Sequence, residues 1–143
     1  MKIMVINGPN LARLDIRDSS IYGDLNYAEL QSLIESAAKS AGFIAEVRQS
    51  NDEATIIEWL HEAADAKTPV IINPAAFTHY SYAIRDAAEL LSAPLIEVHL
   101  SNPMAREEFR HTSVISGVAH GTIAGFGPNS YVLAINALKA LLG

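Results

Sequence analysis

Apolar residues come in short runs separated by polar, helix-periodic stretches, and this alternation repeats along the whole chain. Residues 3–6 are continuously apolar, the pattern of a strand buried on both faces. The run breaks at Asn7-Gly8-Pro9-Asn10, four residues with strong turn preferences. Residues 11–23 then read as a loop of about a dozen residues, a length that is uncommon in compact domains and often functional. Asn26 and Glu29 have capping-box spacing. Leu30, Leu33, Ile34, Ala37 and Ala38 follow at helical spacing, and Gly42 closes that helix.

The same alternation continues to the last residue. Residues 43–49 alternate like a strand. Ser50-Asn51-Asp52 caps a helix whose buried face is Ile56, Ile57, Leu60 and Ala64, with Trp59 beside it. Pro69 punctuates, and residues 70–72 form a third strand ending at Asn73. Residues 81–91 predict a helix buried through Ala83, Ile84, Ala87, Leu90 and Leu91. Pro94 precedes a fourth strand at 95–100. Residues 102–109 form a polar turn with a short helix, 122–126 a fifth strand between glycines, and 131–142 an apolar helix. Repeated β-α units with near-continuous apolar strands mean a parallel sheet with helices on both faces. Five strands suit an α/β, flavodoxin-like, doubly wound sheet, with residues 1–143 as a single domain.

Composition narrows the function. The chain has 143 residues, half of them hydrophobic, so it builds one domain with a real core. It has no cysteine, which excludes disulfides and thiolate catalysis. A formal charge of −6 argues against nucleic acid as a partner. The first strand carries one lysine and runs into polar loop, unlike a signal peptide or a membrane span, so a soluble cytoplasmic protein is expected.

In a doubly wound sheet all strand ends point to one rim, and polar residues collect at three of them. The first strand supplies Asn7, Asn10, Arg17 and Tyr22. The third supplies Asn73, Thr78 and His79. The fourth supplies Glu97, His99, Ser101 and Asn102, with Arg106 and Arg110 beyond. Glu97 and His99 are two apart on a strand and share a face with Leu95, while Ile96 and Val98 point the other way. The bland reading is an ion pair at a strand end; the functional one is a histidine oriented by a carboxylate as general acid or base. Tyr22 and Arg17 share the long loop. Tyrosine titrates near 10, and making it a hundredfold more acidic takes roughly 2.7 kcal/mol, within reach of a close, partly desolvated arginine. An exposed arginine beside a packing tyrosine would look the same in sequence. Asn10 and Asn73 could simply cap a turn and a strand, His79 could be an ordinary core or surface histidine, and Asp86 could sit on a helix beside Arg85. Arg106 and Arg110 form either a solvated charged face or an anion clamp.

Other chemistries lack their motifs. No G-x-G-x-x-G, G-x-x-x-x-G-K-[ST] or G-x-S-x-G occurs, and no histidine-carboxylate cluster has metal-ligand spacing. A phospho-receiver would need acidic residues where this chain has asparagines. None of the four lysines falls at a strand carboxyl end, which disfavours Schiff-base chemistry.

Together these motifs resemble one family, the type II 3-dehydroquinate dehydratases (3-dehydroquinases) of the shikimate pathway. The resemblance runs from the first strand to the last helix and rests on INGPNL at 6–11, IYG at 21–23, RQSN at 48–51, IIN at 71–73, THYS at 78–81, RDA at 85–87 and PLIEVHLSNPMAREEFRHTS at 94–113. It implies dehydration of 3-dehydroquinate to 3-dehydroshikimate with no metal and no cofactor. By resemblance Tyr22 is the base, Arg17 keeps it ionised, Asn10 helps stabilise the enolate, and His99, held by Glu97, protonates the leaving hydroxyl. Asn73, His79, Asp86 and Arg110 bind substrate, and Leu100 and Ser101 take its carboxylate. The family's assembly implies a homo-oligomer, a dodecamer built from trimers, in which Asp86 reaches a neighbouring subunit's site. The loop departs from the family's L-G-x-R-E-P: Asp15 stands in place of the glycine and Ser19-Ser20 where proline falls, which predicts an altered rest conformation of the lid. Pro74 and Ala54 also depart from the usual small residues. Two rivals stay open: a non-catalytic α/β carrier of flavin or nucleotide, and a structural oligomer with a decayed site.

Overall fold

The computed structural model describes all residues, Met1–Gly143. Five parallel strands run β1 (Lys2–Asn7), β2 (Ile44–Gln49), β3 (Val70–Asn73), β4 (Leu95–His99) and β5 (Gly121–Ala124), in the spatial order β2-β1-β3-β4-β5. That is the flavodoxin-like order, with its switch point between β1 and β3. The helices are α1 (Ser19–Tyr22), α2 (Tyr27–Ser40), α3 (Glu53–Ala66), α4 (Tyr82–Glu89) and α5 (Asn129–Leu142).

Strand pleating sorts the apolar residues into two layers. Ile3, Val5, Ile71, Ile96 and Val98 pack with α2 and α5, through Leu30, Ile34, Tyr131 and Leu138. Met4, Ile6, Val70, Ile72 and Leu95 pack with α3 and α4, through Ile56, Leu60 and Ile84. Burying side chains of this size on both faces supplies most of the drive to fold, at about 1.5–3 kcal/mol each. Asn26 closes a complete capping box with Glu29, so α2 begins where the spacing predicts.

Five local expectations change. The stretch after β1 is not a bare loop. Leu11–Ile16 forms tight helical turns and α1 adds one more, because Leu11 and Leu14 are pulled into the α2 layer. On α3 the buried position is Ala63, not Ala64. The helix at 81–91 is shorter: Ser81 is its cap, it ends at Glu89, and Ala83 and Leu90 face solvent beyond its buried stripe. β5 stops at Ala124 because Gly125, at φ +94°, turns the chain out of the sheet. Residues 102–109 carry two separate helical turns, Pro103–Ala105 and Glu108–His111.

Candidate active site

β1, β3 and β4 end at the same rim, and their polar residues line one cleft. Asn10, Arg17, Tyr22, Asn73, His79, His99, Leu100, Ser101 and Arg110 all line it. Arg106 joins them. Two predicted residues lie elsewhere. Glu97 stands behind His99 with no exposed surface, and Asp86 is on the exposed side of α4, outside the cleft of its own chain.

The β1 end brings Asn10 in through a tight bend. Gly8 passes so close to β3 that a Cβ there would lie 2.6 Å from the Pro74 carbonyl oxygen, so only glycine fits. Asn10 takes φ +70°, a left-handed conformation that asparagine tolerates better than most residues. Its N–H donates to Asn51 Oδ1 at 3.0 Å, and Gln49 Nε2 donates to the Gly8 carbonyl at 3.1 Å. The RQSN stretch therefore straps the bend to the end of β2, a role its sequence gave no hint of.

Beyond the bend the chain folds over the cleft. Asp18 caps α1 by accepting from the Ser20 N–H at 3.0 Å and the Ser20 hydroxyl at 2.7 Å. The side-chain cap does at this turn what a preset proline φ would otherwise do. Asp15, in place of the family's glycine, pairs with Arg13 at the surface. The Arg17 guanidinium lies 3.5 Å from the centre of the Tyr22 ring, and that of Arg106 lies 5.0 Å away, so two cations flank one phenol. Burial is the main cause holding the Arg17 pKa below its ordinary range. The charges of Arg106 and Arg110 act the same way, and Tyr22 opposes them. Arg106 donates to Ser101 Oγ at 3.2 Å, while its Nε is buried with no partner in the protein.

At β4 the same-face pair is realised. His99 Nε2 donates to Glu97 Oε2 at 2.5 Å, which leaves Nδ1 for the cleft. Glu97 also accepts from Thr78 Oγ1 at 2.6 Å, Ser113 Oγ at 2.9 Å and Ser116 Oγ at 2.6 Å. Burial pushes the Glu97 carboxyl up, but His99 and the hydroxyls outweigh it and hold the group below the usual carboxylate range. An ionised carboxylate only accepts, so the proton between the two groups belongs to Nε2. The serines at 113 and 116 were invisible as site residues, since single serines in a loop carry no spacing signal. His79 donates through Nδ1 to the Thr112 carbonyl oxygen at 2.9 Å, which presents Nε2. Arg110 pairs with Glu107 at 2.7 Å and reaches the cleft although its segment is not one helix with Arg106.

The model of the family "Dehydroquinase class II" matches residues 1–139. The 3-dehydroquinate dehydratase of Mycobacteroides abscessus is 56% identical over 140 residues, covering 98% of this chain and 97% of that protein. The crystal structure of type II dehydroquinase from Propionibacterium acnes superposes with a TM-score of 0.95 at 49% identity, over 97% of this chain and 96% of that one. That of type II dehydroquinase from Butyrivibrio crossotus gives 0.94 at 50% identity, over 97% of each chain. At this identity over nearly the full length the fold is shared, and the chain belongs to the class II dehydroquinase family.

Proposed function

We propose that the chain dehydrates 3-dehydroquinate to 3-dehydroshikimate by anti elimination through an enolate. Tyr22 as phenolate removes a proton from the carbon beside the ketone. The electron pair moves onto the ketone oxygen, and Asn10 helps stabilise the enolate that forms. The enolate then re-forms the carbonyl and a C=C bond as the β-hydroxyl leaves. His99, doubly protonated, gives its Nδ1 proton to that hydroxyl and water departs. The uptake at Tyr22 and the release at His99 balance, and both groups reset by exchange with solvent. A β-hydroxy ketone needs a base, an oxyanion stabiliser and an acid, and each role has a named group here. Glu97 stabilises the imidazolium, and Arg17 and Arg106 stabilise the phenolate. Asn73, His79 and Arg110 hold the substrate's oxygens, and Leu100 and Ser101 its carboxylate.

The observation that carries this reading is the Arg17 guanidinium stacked 3.5 Å over Tyr22 in the same cleft as His99. A flavin or nucleotide carrier has no use for that pair. The test is the rise in enone absorbance with 3-dehydroquinate, repeated after borohydride and with chelator. Activity insensitive to both supports the mechanism, and folded protein without activity overturns it. The single domain works as a homo-oligomer, a dodecamer built from trimers, in which Asp86 meets a neighbour's substrate. Its place outside its own cleft favours that role. Light scattering that gives a stable monomer with full activity would rule it out. No helix is long and apolar enough to cross a membrane.

A further inference from the structure

At the switch point two asparagines face each other in register, Asn7 ending β1 and Asn73 ending β3. Both are buried, at 0% and 2% exposure. Buried amides are costly unless their polar atoms are partnered. The partner comes from the far end of the chain. Tyr131, in the first turn of α5 and wholly buried, donates its hydroxyl proton to Asn7 Oδ1 at 2.6 Å and accepts from Asn73 Nδ2 at 2.9 Å. The Ala75 N–H donates to Asn73 Oδ1 at 3.1 Å.

The direction of this chain follows from what each atom can do. A backbone N–H only donates, so Asn73 Oδ1 faces Ala75 and Nδ2 faces Tyr131. A hydroxyl has one proton, so Tyr131, accepting from Asn73, gives that proton to Asn7. Burial pushes the Tyr131 phenol up, which keeps it a protonated donor. Asn7 Nδ2 continues to the Tyr27 hydroxyl at 3.4 Å and ties the set to α2. One Nδ2 proton of Asn73 is then left over, on a residue that lines the cleft.

We propose that Tyr131 is a positioning residue: it locks the Asn73 amide so that the cleft meets an N–H donor and selects a ligand oxygen that accepts at that place. The inference rests on the reading of Asn73 as a substrate contact. It adds a residue with no surface of its own, acting on the substrate through another side chain.

A double-mutant cycle on the full-length enzyme tests it, with Asn73→Ala, Tyr131→Phe and both together assayed on 3-dehydroquinate. Tyr131→Phe should lower kcat/KM about tenfold, mainly through KM, as expected for loss of one binding hydrogen bond. In the Asn73→Ala background the same change should cost less than about twofold, because its target is gone. Losses that multiply would overturn the proposal by showing that Tyr131 acts through the fold alone. A normal KM in Tyr131→Phe beside a defective Asn73→Ala would overturn positioning while sparing the Asn73 contact. A normal KM in Asn73→Ala would instead remove the contact itself. Should Tyr131→Phe fail to fold, hydrogen exchange of the wild-type Asn73 side-chain amide decides. One protected Nδ2 proton supports the lock, and two fast-exchanging protons overturn it.

Discussion

Tyr22 and His99 line the same cleft, yet Tyr22 sits on a single helical turn with no buried side chain, whereas the Glu97 behind His99 has no exposed surface. The Tyr22 turn is held by one aspartate cap and by the stacking of Arg17. Glu97 is held by His99 and three hydroxyls while its strand is paired on both sides. Tyr22 is carried by a short surface turn. His99 ends a strand paired on both sides, where the Glu97 carboxylate fixes its tautomer and orientation. The pair shows one site using two kinds of preorganisation, cations gathered around Tyr22 on a surface turn and hydrogen bonds around the buried carboxylate behind His99.

Substitutions on the two sides should break this contrast in different currencies. Tyr22→Phe should lower kcat about a thousandfold with substrate affinity and melting temperature unchanged, since a general base is lost and nothing structural depended on it. Steady-state kinetics with an equilibrium binding titration checks both halves; a variant that keeps most of its rate would rule out the base assignment. His99→Ala should lose turnover to a similar degree while the fold stays intact, and near-normal rates would sink the acid assignment. Glu97→Gln should do what neither does, lowering the unfolding free energy by about 3 kcal/mol as well as the rate, because it breaks a buried, fully bonded pair. Denaturant melts read this directly, and wild-type stability would remove the core-set half of the comparison.

Smaller effects sharpen it. The folded-state value of Glu97 lies below its ordinary 4.5. Its contribution is therefore fully present above pH 4.5 and is lost as pH falls through the lower folded value. Melts from pH 7 down should show the gap between wild type and Glu97→Gln closing only below 4.5. Arg17→Ala should leave the melt unchanged but lower kcat severalfold at neutral pH, since it removes the guanidinium stacked on the Tyr22 ring; a wild-type kcat would count against Arg17. Asp18→Ala should raise KM severalfold with no change in kcat at saturation, because it loosens the lid turn without touching a reacting group.

Much of this architecture is written in local patterns. Continuous apolar runs at β1 and β3 are legible because strands buried on both faces favour apolar residues, and strand period alone put Glu97 and His99 of β4 on one face. Asn26 announces α2 because a cap is a contact between near neighbours. Leu90 misled because helical spacing continues past the point where α4 ends. The lid misled in the other direction: its polar composition reads as loop, and only the pull of Leu11 and Leu14 into the core winds it into turns.

The chain's order of strands and helices and its two-layered core were determined by sequence alone, because each depends on periodicity, and the residues proposed as base and acid stand out there through motifs of adjacent residues. Which groups meet was decided by tertiary structure. Arg106 reaches Tyr22, Asn51 holds Asn10, Ser113 and Ser116 enclose Glu97, and Tyr131 bridges Asn7 to Asn73 across 124 and 58 residues of chain. Such contacts join positions with no fixed spacing between them. Their hydrogen bonds form only after the sheet has brought its strand ends to one rim and excluded the water that would otherwise satisfy them.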